Sequence, residues 1–208
     1  MTKQDINKKL KLKHQLFNLI LIACLIAISL LTCYISDILP RISGISIEFY
    51  LVIVIISLIL IPNKWWKVTY LILFSLIRML VIPISAINFS DLLLEYFLPL
   101  YVFIFYLWCN NYYQFLVKHW PVNALLIFTI SILFFTCIMM FVRLGCFVIA
   151  GYLWYTVNNW WASWIYEISG YWVSIVVVLI LLAMLIVPTM KLIPILQKKY
   201  LLINSIKK

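Results

Sequence analysis

The sequence predicts an all-α integral membrane protein: a bundle of six transmembrane helices with both termini in the cytoplasm. Three observations carry this. First, 67% of the 208 residues are hydrophobic and 11% are charged, against about 45–50% and about 25% in soluble domains. Mean hydropathy is +1.14. Second, six apolar runs approach the roughly 20 residues that a helix needs to cross the hydrocarbon core. Third, the basic residues sit at the ends of the chain and between the apolar runs. The net charge of +10 therefore reads as membrane topology and not as a nucleic-acid footprint. The same composition excludes a water-soluble enzyme, a disordered chain and a disulfide-framework toxin.

The spans fall at 16–36, 45–62, 66–86, 92–109, 121–144 and 170–190. A basic N-terminal segment, 1–15, precedes the membrane domain, 16–190, and a basic tail, 191–208, follows it. The first span has no small-residue exit of the signal-peptide type and is followed by further spans, so it is expected to stay attached. Pro40, Asn63, Asn110-Asn111 and Asn158-Asn159 punctuate the joins, and Pro83 lies near the end of span three. Span five is free to continue toward Trp154, because Gly145 and Gly151 do not by themselves end a membrane helix. Lys3, Lys8, Lys9, Lys11 and Lys13 precede span one, Lys64 and Lys67 join spans two and three, and Lys118 joins four and five. Lys191, Lys198, Lys199, Lys207 and Lys208 follow span six. All thirteen lysines fall on one side, which becomes the cytoplasmic side; Arg41 alone among basic loop residues falls on the other.

The acids Asp37, Glu48, Asp91, Glu95 and Glu167 reach the outer ends of spans or the outer loops. Arg78 lies eleven residues beyond Lys67, which at about 1.5 Å per residue puts it in the outer half of span three. Arg143 lies near the outer end of span five. Glu95, Arg78, Arg143 and Glu48 are therefore expected to converge on one outer layer, because ionisable residues in a bilayer face the bundle interior and pair or line a substrate path. Between Tyr152 and Trp172, nine of twenty-one residues are Tyr or Trp, more than an interfacial belt requires. Aromatic faces stack on flat rings and attract cations. A carboxylate beside such a wall suits a planar, cationic, ring-containing ligand.

Catalytic motifs do not emerge. There is no GxSxG, no GxxxxGK[ST] and no HExxH, and both histidines, His14 and His119, are cytoplasmic by topology. Five scattered cysteines without a CxxC read as small buried hydrophobes, not as a metal or redox site. The chain is expected to be no enzyme and to carry no cofactor or metal.

Leu94-Glu95-Tyr96 at the start of span four and Ile149-Ala150-Gly151 after span five, on a six-span chain of this length, resemble the substrate-binding S-components of energy-coupling factor (ECF) vitamin transporters, within them the thiamine-specific branch. The resemblance implies a ligand pocket built from Glu48, Glu95, Tyr96, Arg143, Phe147, Gly151, Trp154 or Tyr155, Tyr166 and Tyr171. Tyr166 falls where that branch carries a ligand-contacting tyrosine. Arg143 replaces a family lysine, Phe147 a histidine, Tyr171 an asparagine and Gly44 a tryptophan. Ala23 and Ala27 form the small-xxx-small pair with which the family docks its transmembrane coupling subunit, and small residues four apart do let helices approach closely. The resemblance implies a multi-pass cell-membrane protein that captures thiamine or a phosphorylated form and works with that coupling subunit and two ATPase subunits. Glu95 would offset the charge of a cationic or amine-bearing ring, Tyr96 and Tyr166 would stack or donate hydrogen bonds, and Arg143 would meet a hydroxyl or phosphate tail. The rival expectations are another heterocyclic vitamin or a thiamine precursor, a membrane-embedded lipid enzyme, and an assembly subunit with no ligand.

Overall fold

The computed structural model describes residues 3–39, 47–81, 89–155 and 159–205; within these, the side chains of 3–11, 13, 14, 91, 95, 155 and 194–205 are not described. The expectations for Pro40, Arg41, Gly44, Pro83 and Asn158, and for the side chains of Asp91, Glu95 and Tyr155, lie outside the described residues. Every regular element among the described residues is helical, and they form six rods. α1 is Lys3–Ile38, α2 is Tyr50–Leu60 and α3 is Lys64–Val81. α4 is the composite rod over 89–119, α5 is Ala124–Ala150 with a π turn Gly151–Tyr155, and α6 is Trp160–Ser205. Stretches of α1, α5 and α6 (Gln15–Ile38, Ala124–Trp154 and Trp160–Ile193) are long and apolar enough to cross a membrane.

α2 is the central element. Eight of its eleven residues are buried, and it lies between α1 and α6. At about 16 Å it falls short of a bilayer core, so the expected span 45–62 is shortened at both ends. Pro62 explains the C-terminal end. The residue before a proline is pushed to extended backbone, and Ile61 sits at φ −71°, ψ 117°. The carbonyls left over there find partners in α4: Asn110 Nδ2 donates to Ile61 O at 3.1 Å, and Cys109 Sγ donates to Leu58 O at 3.7 Å. A short helix is tolerable at membrane depth only where protein covers its ends. Asn110 is therefore a cap for a neighbouring helix and not the loop punctuation its sequence context implied.

α4 shows what a proline does inside a helical rod. Pro99 has no N–H, and its ring would press on the carbonyl four residues back. The chain widens just upstream into a π turn, Leu93–Phe97, with Leu98 N–H reaching back five residues to Leu93 O. It then tightens into a 3-10 segment, Val102–Trp108, before regular helix resumes over Cys109–His119. The rod thus runs ten residues past the expected end of span four.

α5 and α6 share the most extensive helix–helix contact among the described residues. The continuation of span five to Trp154 is observed. α6 begins ten residues before the expected span 170–190, so Trp160, Trp161, Trp164, Tyr166 and Glu167 are helical and not loop residues. Asn159 starts it, its Oδ1 accepting the Ala162 N–H at 3.1 Å, as an N-cap does. On α6 the buried positions Tyr171, Ile175, Val178, Leu182 and Ile186 recur every three or four residues, one helical face against the core.

Candidate functional site

Charged and aromatic side chains from α2, α3, α4, α5 and α6 meet in one layer, near the N-terminus of α2 and the C-terminus of α3. Its centre is an ion pair. Arg143 Nη2 donates to Glu48 Oε1 at 2.5 Å and Arg143 Nε to Glu48 Oε2 at 3.1 Å. Two parallel N–H···O bonds match the guanidinium fork to the carboxylate. Arg143 is 1% exposed and Glu48 8%. The Tyr50 hydroxyl completes the arrangement, donating to Glu48 Oε1 at 3.0 Å and accepting from Arg143 Nη2 at 2.8 Å.

Local sequence accounts for this placement. Glu48 lies just ahead of α2, where the helix N-terminus favours negative charge, and its backbone N–H reaches Ser174 Oγ of α6 at 3.4 Å. Arg143 shares one face of α5 with buried Thr136, Met139 and Met140. One turn on, Phe147 lies under the guanidinium at 4.9 Å, and Tyr171 of α6 meets the Phe147 ring edge-on at 5.5 Å. The Tyr171 hydroxyl turns to Met140 Sδ at 3.6 Å. Glu48, Arg143, Phe147 and Tyr171 are therefore brought together, and Tyr50, whose buried ring links them to α3, escaped the sequence analysis. Its signal was its position two residues after an acid at a helix start.

Arg78 forms the second half of the layer. Its guanidinium lies 4.8 Å from the Tyr50 ring centre and 5.5 Å from that of Tyr96. Its Nε has no hydrogen-bond partner, nor has Nη1 of Arg143. Ser75, Arg78, Met79, Tyr96, Phe97 and Leu100 line a shallow, half-open dent with no enclosed room for a water molecule. The backbone of Glu95 lies in the π turn of α4, one residue before Tyr96.

The remaining predicted residues lie elsewhere. Gly151 is the close-approach point of α5 and α6. Ser163 Oγ donates to Val148 O at 2.8 Å, and a Cβ on Gly151 would stand 2.5 Å from that Oγ. Trp154 is partly buried on the π turn. Tyr166 is 50% exposed and joins no side chain of the polar layer among the described residues. The helical start of α6 explains this: it fixes Tyr166 on a helix face and removes the loop that was to carry it inward. Ala23 and Ala27 are both exposed on α1, flanked by exposed Leu19, Ile20 and Leu31.

A second buried cation lies toward the other end of α3. Lys67, expected in a connecting loop, is 0% exposed; its Nζ donates to Tyr106 O at 3.1 Å and to Cys109 Sγ at 3.2 Å. The signal was present in the spacing: 67, 70, 71, 74 and 75 are the buried positions of α3, one helical stripe with Lys67 at its head. No group of three or more His, Cys, Asp or Glu that could hold a metal occurs among the described residues.

Comparison with known proteins finds no matching family model, no matching curated protein and no matching solved structure. The functional reading therefore stands on the residues and their geometry.

Proposed function

We propose that the chain is a multi-pass cell-membrane protein of six spans, with both termini in the cytoplasm, that captures a small heterocyclic ligand on its outer side. In this reading it has no catalytic activity of its own, and thiamine or a phosphorylated form is the first ligand to test. The observation that supports it most is the polar layer: two guanidinium groups, a carboxylate and the rings of Tyr50, Tyr96, Phe147 and Tyr171 gathered from five rods in an otherwise apolar bundle. Ionisable groups at membrane depth are expensive and mark ligand paths more often than decoration. Glu95, next to Tyr96 in the chain, would offset a cationic ring, and import would need a transmembrane coupling subunit and two ATPase subunits as partners.

Titration of tryptophan fluorescence in the detergent-solubilised protein with a panel of heterocyclic vitamins tests the ligand. Glu95→Gln is expected to weaken thiamine binding more than about tenfold, or about 1.4 kcal/mol; unchanged affinity removes Glu95 from the site. Leucine at both Ala23 and Ala27 is expected to abolish uptake in cells while leaving binding intact, since the exposed pair contributes nothing to the core. Loss of binding in that variant would assign the alanines to the fold instead.

A ligandless assembly subunit is the second reading, favoured by the Arg143–Glu48 pair, in which both carboxylate oxygens are already engaged. Absence of quenching by every vitamin in the panel, with copurification of no ATPase, would establish it.

A further inference from the structure

Because α6 starts at Trp160, the aromatic residues at its head divide into two sets. Trp161, Tyr166 and Trp172 are exposed, as residues of an interfacial belt are. Trp160, Trp164, Glu167 and Tyr171 follow one another at steps of three and four residues and share one helical face. Exposure falls along that stripe: Trp160 is exposed, Trp164 and Glu167 are partly buried and Tyr171 is buried. Glu167 therefore lies between the sealed polar layer and the open start of α6, about 10 Å along the helix from Trp160. At two turns in, it is past the first turn over which the positive end of a helix acts.

Three rings and this carboxylate meet along the seam of α5 and α6. The Trp160 ring meets that of Tyr152 edge-to-face with centroids 5.6 Å apart, and that of Trp164 in the same way at 6.2 Å. Tyr152 belongs to the π turn after α5, a distortion frequent at functional sites. A Cβ on the neighbouring Gly151 would stand 3.5 Å from Glu167 Oε1, so the carboxylate lies against the π turn. No cation lies within ion-pair distance of Glu167 among the described residues; the ion pair there is Arg143–Glu48. The charged group near enough to act on Glu167 is that second carboxylate, Glu48, whose oxygens Arg143 already engages.

A carboxylate held this way at membrane depth is costly without a positive partner. The chain supplies none, and what surrounds the site selects the class of partner. One carboxylate among rings lacks the several oxygen ligands that a hard metal cation takes. An alkylammonium spreads its charge over an apolar surface, and ring faces stand in for its water. We propose that Glu167, with Tyr152, Trp160 and Trp164, binds an organic ammonium group at the seam of α5 and α6. The site is separate from the polar layer to which the heterocycle is assigned, and it holds whether or not a vitamin binds. A small soluble ammonium compound and the headgroup of a choline lipid offer the same chemistry.

The test uses the full chain in a maltoside detergent and in nanodiscs. Choline and its uncharged carbon isostere, dimethylbutanol, are titrated by tryptophan fluorescence; retention of phosphatidylcholine against phosphatidylglycerol from mixed nanodiscs is read by native mass spectrometry. Wild type is expected to respond to choline and not to the isostere. Glu167→Gln and Trp164→Leu are each expected to bind choline at least about tenfold more weakly, or about 1.4 kcal/mol, and Glu167→Asp should fall between wild type and Glu167→Gln. Preferential retention of phosphatidylcholine that Glu167→Gln abolishes, without a response to free choline, supports the site and assigns its source to lipid. Equal responses to choline and the isostere overturn it, because the rings then bind apolar surface alone; this comparison needs only wild type and survives a variant that fails to fold. Absence in wild type of both a choline response and a phosphatidylcholine preference overturns it, as does a folded Glu167→Gln that matches wild type in both.

Discussion

The bundle buries cations in two places and treats them differently. Arg143 meets a carboxylate through two hydrogen bonds, with a phenolic hydroxyl bridging both partners. Lys67 meets a backbone carbonyl and a thiol and has no acidic partner among the described residues. The first arrangement is neutral and depends on all its members. The second uses the irregular backbone that Pro99 imposes on α4: the 3-10 segment presents Tyr106 O toward α3. The contrast shows which buried charge the fold depends on and which it merely tolerates.

The sharpest way to probe the difference is to remove each cation by an apolar residue of similar length. Arg143→Met leaves the Glu48 carboxylate buried with Tyr50 as its sole remaining donor in that cluster. Breaking one side of a buried pair costs about 3–5 kcal/mol. Reversible unfolding of the detergent-solubilised protein should register that loss. Combining Arg143→Met with Glu48→Gln removes the stranded charge and should recover a substantial part of the deficit, since coupled sites are not additive. Strict additivity of the two substitutions would show that Glu48 and Arg143 do not act as a pair.

How much of this was visible beforehand follows the same division. The polar layer was legible in outline, because Glu48, Arg78 and Arg143 each break an apolar run and depth along a helix is simple arithmetic. The all-helical class and the continuation through Gly145 toward Trp154 were legible for the same reason. Lys67 was not, because a lysine near a span boundary reads as a topology signal; only its register with Tyr70, Leu71 and Phe74 shows that it points inward. The early start of α6 was also hidden. Counting residues to cross a bilayer stops once enough have been found, so the N-cap at Asn159 was passed over and Tyr166 was assigned to a loop. Tyr50 and Asn110 were missed because their work is done across helices, between positions far apart in the chain.

Lys67 is the weaker partner in the comparison, and its replacement by methionine should have the smaller effect. The Tyr106 carbonyl would not be orphaned, because the Cys109 backbone N–H also donates to it. The Cys109 thiol would keep Leu58 O and Asn110 Oδ1 as acceptors. No polar group is therefore stranded, which is the condition under which substituting a buried polar partner is nearly neutral. Methionine follows the path of the lysine stem, so no large cavity opens, and a buried ammonium is relieved of its desolvation cost. The same unfolding assay is expected to place Lys67→Met within about 1 kcal/mol of wild type or above it. A loss as large as that of Arg143→Met would mean that Lys67 answers an anion in the native membrane, and the two buried cations would then be alike.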